Sequence, residues 1–190
     1  LNFPFTYDPA EISVRAAALA PRVDTPTAQL SASLDRHLPA LSGDTLSLLT
    51  ALTTAVPDSL RYKRRDKEGI QSAAATLALG SGSCRDYAVF FIELCRFLGL
   101  AARFVSGYLY EAPPPGLANP LPPTMHAWVE VYLPGAGWRG LDPTRGIFCD
   151  DAFVPVAHSA IAESVNPIQG TFYGSGVTST LHTQLTVDKL

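Results

Sequence analysis

Three residues of this chain have the types and the setting for nucleophilic catalysis: Cys84, His126 and Asp142. Cys84 follows Gly80-Ser81-Gly82-Ser83 and opens a run whose apolar residues recur with helical spacing, which places it in the first turn of a helix. Unpaired N–H groups and the positive end of the helix dipole stabilise a thiolate there, the nucleophilic form of the side chain. The neighbouring glycines let the backbone and a substrate carbonyl come close. His126 opens one alternating segment and Asp142 closes the next. A carboxylate in that position can hold one imidazole nitrogen while the other faces the sulfur, as in a Cys–His–Asp triad. Singly, each residue has an ordinary reading: a small buried hydrophobe, a strand histidine, a carboxylate at a strand end. It is their combination in this setting that points to chemistry.

The elements that must position them are readable from periodicity. From Cys84, the residues Tyr87, Ala88, Phe91, Leu94, Cys95 and Leu98 share one helical face, while Val89, Phe90, Ile92 and Phe97 make the opposite side apolar as well. Arg85, Asp86, Glu93 and Arg96 leave only a narrow polar stripe, so this helix belongs at the centre of a domain, with Gly99 just past its end. Asp86 reads as a helix cap and dipole complement. Strand patterns follow over 102–110, 126–133 and 138–142, with a proline-rich loop at 112–124 and a Pro-Gly-Ala-Gly turn at 134–137. In the second strand His126, Trp128, Glu130 and Tyr132 share one face, and Ala127, Val129 and Val131 the other. Trp128 and Trp138 read as sheet packing.

Whether His126 meets Asp142 then depends on register. A three-residue loop of Leu133, Pro134 and Gly135 sets them directly opposite, a pairing shifted by two residues sets them diagonally, and a four-residue loop puts them on opposite faces. The pattern permits the meeting without forcing it.

Upstream, residues 1–8 read as extended, Thr25-Pro26 with Leu30, Leu34 and Leu38 as a short helix, and a second helix starts at Asp44 and stops at Pro57. Residues 61–68, dense in charge, read as a solvated loop, and 73–79 as a small helix. Later strands are expected over 154–158 and 177–187. Helices first and an antiparallel sheet after make an α+β domain, divided into a lead-in segment over 1–60 and a core over 61–190.

The 190 residues are 47% hydrophobic, enough for a real core. Only 16% are charged, below the ordinary value of about 25%, so some apolar surface is expected to be covered by further chain or a partner. A net charge of −3 gives no reason to expect nucleic acid. The longest uncharged, mostly apolar stretch, 112–129, holds six prolines and is no membrane helix. No basic leader is visible, and a first residue of Leu reads as a fragment of a longer protein. Cys84, Cys95 and Cys149 make no disulfide framework and, with four histidines, no zinc cluster. They read as reduced thiols in a cytosol-like, cytoplasmic compartment, and no metal or other cofactor is expected. Cys149, His37, His158 and His182 receive no role, and oligomeric state is not legible.

The segments Gly82-Ser83-Cys84-Arg85-Asp86, residues 94–108, His126-Ala127-Trp128-Val129-Glu130-Val131 and Gly137-Trp138-Arg139-Gly140-Leu141-Asp142-Pro143-Thr144 together resemble the core of the bacterial transglutaminase-like family. The resemblance runs from Tyr62 to Arg145 and more loosely to Tyr173. It implies a papain-like fold, with a nucleophilic cysteine on a central helix packed on a sheet that carries His and Asp. Cys84 would be the nucleophile, His126 the general base and acid, and Asp142 the orienting carboxylate. The reaction so implied is acyl transfer on a protein or peptide amide through a thioester, resolved by water or by an amine. The backbone N–H of Cys84 supplies one oxyanion donor. Animal members use a tryptophan upstream of the cysteine as the second, whereas both tryptophans here lie downstream, so Tyr62 and Gln71 are the candidate substitutes. That departure favours hydrolysis over crosslinking. The calcium dependence of the animal enzymes does not carry over, for want of an acidic ligand cluster. The rival from another class is a catalytically idle domain that binds a peptide in the groove beside Cys84.

Overall fold

The computed structural model describes residues 1–22, 24, 27–37, 43–65, 69–111, 125–165, 173–176, 178, 180 and 184–187. In chain order these form β1 (Asn2–Phe3), α1 (Pro9–Leu19), α2 (Thr27–His37), β2 (Gly43–Asp44), α3 (Thr45–Ser59), β3 (Arg61–Tyr62), α4 (Ala73–Leu79), β4 (Ser81–Gly82), α5 (Cys84–Phe97), β5 (Ala102–Leu109), β6 (Met125–Leu133), β7 (Gly137–Asp142), β8 (Ile147–Phe148), β9 (Phe153–Ser159) and a 3₁₀ turn, Ala162–Val165. The sheet that matters is five-stranded and antiparallel, in the order β8-β7-β6-β5-β9. The α+β architecture expected from the sequence is present.

Helix α5 is the centre of the molecule. On one side Ala88, Phe91, Leu94 and Cys95 share a core with Ala127, Val129, Val131 and Leu141 of the sheet; Leu30, Leu34, Leu49, Leu52 and Val56 of α2 and α3 join the same cluster. The helix is apolar on nearly every face because it is covered on nearly every face. Its end is a Schellman closure, with the Leu100 N–H donating to Cys95 O at 2.8 Å and the Gly99 N–H to Arg96 O at 2.9 Å, and Gly99 takes φ +76°.

The polar stripe of α5 is buried too. Glu93 and Arg96 are 1% and 6% exposed and paired at 3.2 Å. Arg96 also donates to the carbonyls of Ala18, Ala102 and Ala160, while Glu93 accepts the Arg22 N–H. A guanidinium has donors enough for all four acceptors, and so ties α1, β5 and the chain after β9 to the central helix. The cover comes from α1, an element that the periodicity reading missed. Its signal was present in Asp8, Pro9 and Glu11: Asp8 caps it, Glu11 reaches back to the Asp8 N–H, and Pro9 occupies the first turn.

Three further expectations are corrected. Helix α3 does not stop at Pro57 but continues to Ser59, with the Leu60 N–H bonded to Val56 O. Proline in the last turn breaks one internal bond, and the buried stripe of Leu48, Leu49, Leu52 and Val56 holds the helix across it. Residues 184–187 carry no strand. The charged stretch after Arg61 is not wholly solvated: Arg65 is 16% exposed at its side chain and pairs with buried Asp86. Thr25, Pro26, Leu38, residues 66–68 and the proline-rich loop 112–124 lie outside the described residues.

Candidate active site

Cys84 is the first residue of α5, and its N-terminal position is enforced by Asp86. Five hydrogen bonds converge on that carboxylate: from Ser83 N and Oγ, each at 2.8 Å, from Gln71 N at 2.8 Å, and from Arg65 Nε and Nη2 at 2.8 and 3.0 Å. Asp86 is 0% exposed. Burial works against its charge, and these bonds, Arg65 first, outweigh that and hold the carboxyl below the usual range. Asp86 therefore does more than cap the helix. It gathers the loop before Cys84, the segment at Gln71 and the chain at Arg65. Gly82 must be glycine for the same reason, since a Cβ there would lie 2.6 Å from that of Asp86.

On the facing side, β6 pairs with β7 in the register Val129↔Leu141 and Leu133↔Gly137, so the connecting loop is Pro134–Ala136 and His126 lies diagonal to Asp142. That distance suits the two side chains: His126 Nε2 and Asp142 Oδ2 are 2.7 Å apart. Asp142 is fully buried, and its other oxygen accepts the Thr144 N–H at 2.8 Å, which fixes the carboxylate as β7 ends. With Nε2 held by Asp142, Nδ1 is the nitrogen left for Cys84, which lies near enough to act on the ring. Burial opposes a charge on the imidazole, but the hydrogen bonds and negative charges of Asp142 and Cys84 prevail and push His126 up to about 9. The three residues singled out from the sequence are thus brought together, Cys84 and His126 meeting at the ends of their elements.

The imidazole rests on Trp128, with ring centroids 6.3 Å apart and planes 26° from parallel. Trp128 is 2% exposed and packs edge-on against Phe153 at 5.4 Å. Gly107 makes room for it, and Gly140 makes room for Cys149 beside it. A Cβ on Gly107 would lie 2.6 Å from the indole and 2.1 Å from Val154 O, and one on Gly140 would strike Cys149 at 2.8 Å. Glycine inside a strand pattern is the sequence signal that marks such a close approach. Trp128 packs within the sheet as expected, and in doing so supports the ring. Trp138 lies elsewhere, against Tyr132 and under Arg103.

The two candidate oxyanion donors differ. Tyr62 pairs with Gly82 across β3 and β4, edges onto Tyr87 at 6.2 Å, and is half-exposed. Burial first, then the nearby charge of Cys84, raises its hydroxyl's pKa, so the phenol keeps a proton to donate. Gln71 directs its side-chain N–H groups to Ser81 O at 3.1 Å and Thr76 Oγ1 at 3.4 Å, and so braces the turn before Cys84. Cys95 is fully buried, and burial pushes its thiol far up. Cys149 packs beside Trp128 and is pushed up likewise. Among the described residues no group of three or more His, Cys, Asp or Glu could hold a metal ion. Nor, among them, is any helix long and apolar enough to cross a membrane.

A buried helix that begins at a cysteine, packed on an antiparallel sheet bearing His and Asp, defines a papain-like core. The model of the transglutaminase-like superfamily matches residues 33–143, more than half of the chain, and the chain belongs to that superfamily. An uncharacterised protein of Mycobacterium tuberculosis is 34% identical over 111 residues, covering 56% of this chain and 35% of the relative. The chain thus spans about a third of the length of that curated relative. A candidate cysteine protease from Cytophaga hutchinsonii superposes with a TM-score of 0.63 at 24% identity, covering 80% of this chain and 49% of that one. The periplasmic domain of TgpA from Pseudomonas aeruginosa does so with 0.51 at 26%, covering 70% and 48%. Family membership supports cysteine-based enzymatic activity in general terms.

Proposed function

We propose that this protein hydrolyses an amide bond in a protein or peptide substrate through a thioester on Cys84. The observation that carries the reading is the His126 ring held by Asp142, with Nε2 and Oδ2 2.7 Å apart, and close enough to Cys84 at the start of α5 to feel its charge. Attack begins from the state in which His126 holds the proton and the sulfur is a thiolate. The thiolate attacks the amide carbon, the C–S bond forms, and the oxyanion takes the Cys84 N–H at the helix start. The C–N bond then breaks as His126 gives its proton to the departing nitrogen. Water follows along the same path. The neutral imidazole accepts its proton, the hydroxide attacks the thioester carbon, and C–S cleavage returns the thiolate. Asp142 keeps the ring oriented and stabilises its charged form throughout.

Two arms test this reading. Turnover of a peptide pool in ¹⁸O-labelled water should place the heavy oxygen in new carboxylates, and rapid quenching should catch an acyl mass on Cys84. Incorporation of a fluorescent primary amine without ¹⁸O uptake would instead make the protein a crosslinking transferase. No Cys84-dependent product in either arm would leave a peptide-binding domain without catalysis.

The raised His126 sets a pH limit. Its proton is needed by the leaving nitrogen, so acylation should fall as the pH rises through about 9, seen as the alkaline limb of kcat/KM. The same proton stabilises the fold: that contribution is complete below the ordinary histidine value of about 6.5 and is lost as the pH climbs through about 9. We further propose Tyr62 as the second oxyanion donor. Tyr62→Phe should lower kcat by about 100-fold with little change in KM, and an unchanged kcat would remove Tyr62 from the mechanism.

A further inference from the structure

A groove of about 270 Å³ opens alongside Phe153, one residue removed from the imidazole, and no step of the hydrolysis above uses it. Its apolar wall is Leu109, Ile147 and Phe153, and its charged residues are Glu111, Arg145 and Asp150. The catalytic residues do not line it, but three of its wall residues neighbour them. Phe153 stands 6.1 Å from the His126 ring, Ile147 pairs with Asp142 across β7 and β8, and the Arg145 N–H donates to Asp142 O. These walls come from β5, β8, β9 and the segments that flank them, and none from α5. Its walls therefore neighbour the imidazole and its carboxylate and not the thiol-bearing helix, and it is from the imidazole that a leaving nitrogen would take its proton.

We infer that this groove binds a cationic side chain with an aliphatic stem, that of lysine or arginine, on the leaving-group side of the substrate amide. The inference rests on the hydrolase reading of the site and names what that site prefers. Within the groove Arg145 is already matched, 2.6 Å from Glu111. Asp150 is the charge in excess; one of its oxygens accepts the Ala152 N–H at 3.0 Å, which holds the carboxylate beside the apolar wall. An anionic side chain would have to displace Glu111 from Arg145 and then lie near Asp150. A cation meets Asp150 without breaking any pair, and its methylenes cover Phe153 and Ile147, as long basic side chains do on apolar surface.

The test has one arm that needs no turnover. In Cys84→Ala protein, pentylamine should shift the backbone amide signals of Leu109, Asp150 and Phe153, bind more tightly than pentanol, and weaken by about fivefold in Asp150→Asn, the value of one solvent-facing ion pair. Equal binding of the alcohol, or shifts confined to other regions, overturns the inference. In the second arm, wild-type protein digests a randomised peptide pool and the new N-terminal segments are sequenced. Lysine and arginine should be enriched within the first two positions, with enrichment over norleucine reduced in Asp150→Asn. Cleavage without that enrichment sinks the groove's specificity and leaves the hydrolase standing. Amine binding without any cleavage keeps the groove and removes the hydrolase.

Discussion

Cys84→Ala should fold as the wild type does and lose amide turnover by roughly 10⁴–10⁶-fold, to the level that binding and the oxyanion donors sustain alone. The large factor follows from where the residue stands. The sulfur is the atom that would bond to the substrate, and without the thioester the proton transfers of His126 have no intermediate to serve. Stability should change by no more than about 1 kcal/mol, because Cys84 is only partly buried and the substitution removes a single heavy atom at the margin of the core. A readout without substrate accompanies it. Cys84 contributes both a hydrogen bond and a charge to the raised His126, so in the variant the ring should titrate below about 9, with Asp142 left to oppose burial. Wild-type turnover in the variant, measured on the same amides, would end the enzymatic reading.

Asp86→Ala should have the largest effect on stability, about 3–5 kcal/mol, the range for breaking a buried charge pair from one side. Five hydrogen bonds disappear together, and Arg65 keeps its charge in a site built to neutralise it. In a chain of this length each kcal/mol moves Tm by roughly 2–4 °C, so thermal unfolding should show a drop of ten degrees or so. Acid should mimic the substitution. The carboxyl is held below its ordinary range, so its contribution is present above about pH 3.9 and fades as the pH falls towards the depressed native value. A variant with the wild-type Tm would mean that Asp86 merely caps α5.

Much of the site was legible because it is local. A cysteine after Gly-Ser-Gly-Ser at the start of an apolar helical run, a histidine and an aspartate at strand ends, and motifs in one order are each contained in a few consecutive residues, and α5, β5, β6 and β7 lie where periodicity placed them. The supports were not local. Arg65 and Asp86 are 21 residues apart, and their pairing follows only from the cost of leaving a buried carboxylate without a cation. The burial of the Glu93–Arg96 pair was not legible either, because its partners Ala18, Arg22, Ala102 and Ala160 lie far apart in the chain.

What the chain's own order of residues determined, then, is which side chains can do chemistry and which elements carry them, since helix starts and strand alternation are set by neighbours in sequence. Only the tertiary structure decided that His126 and Asp142 sit diagonally and still meet. Strand register depends on the Pro134–Ala136 turn and on which face is buried, and a one-residue slip would have sent the two to opposite sides of the sheet.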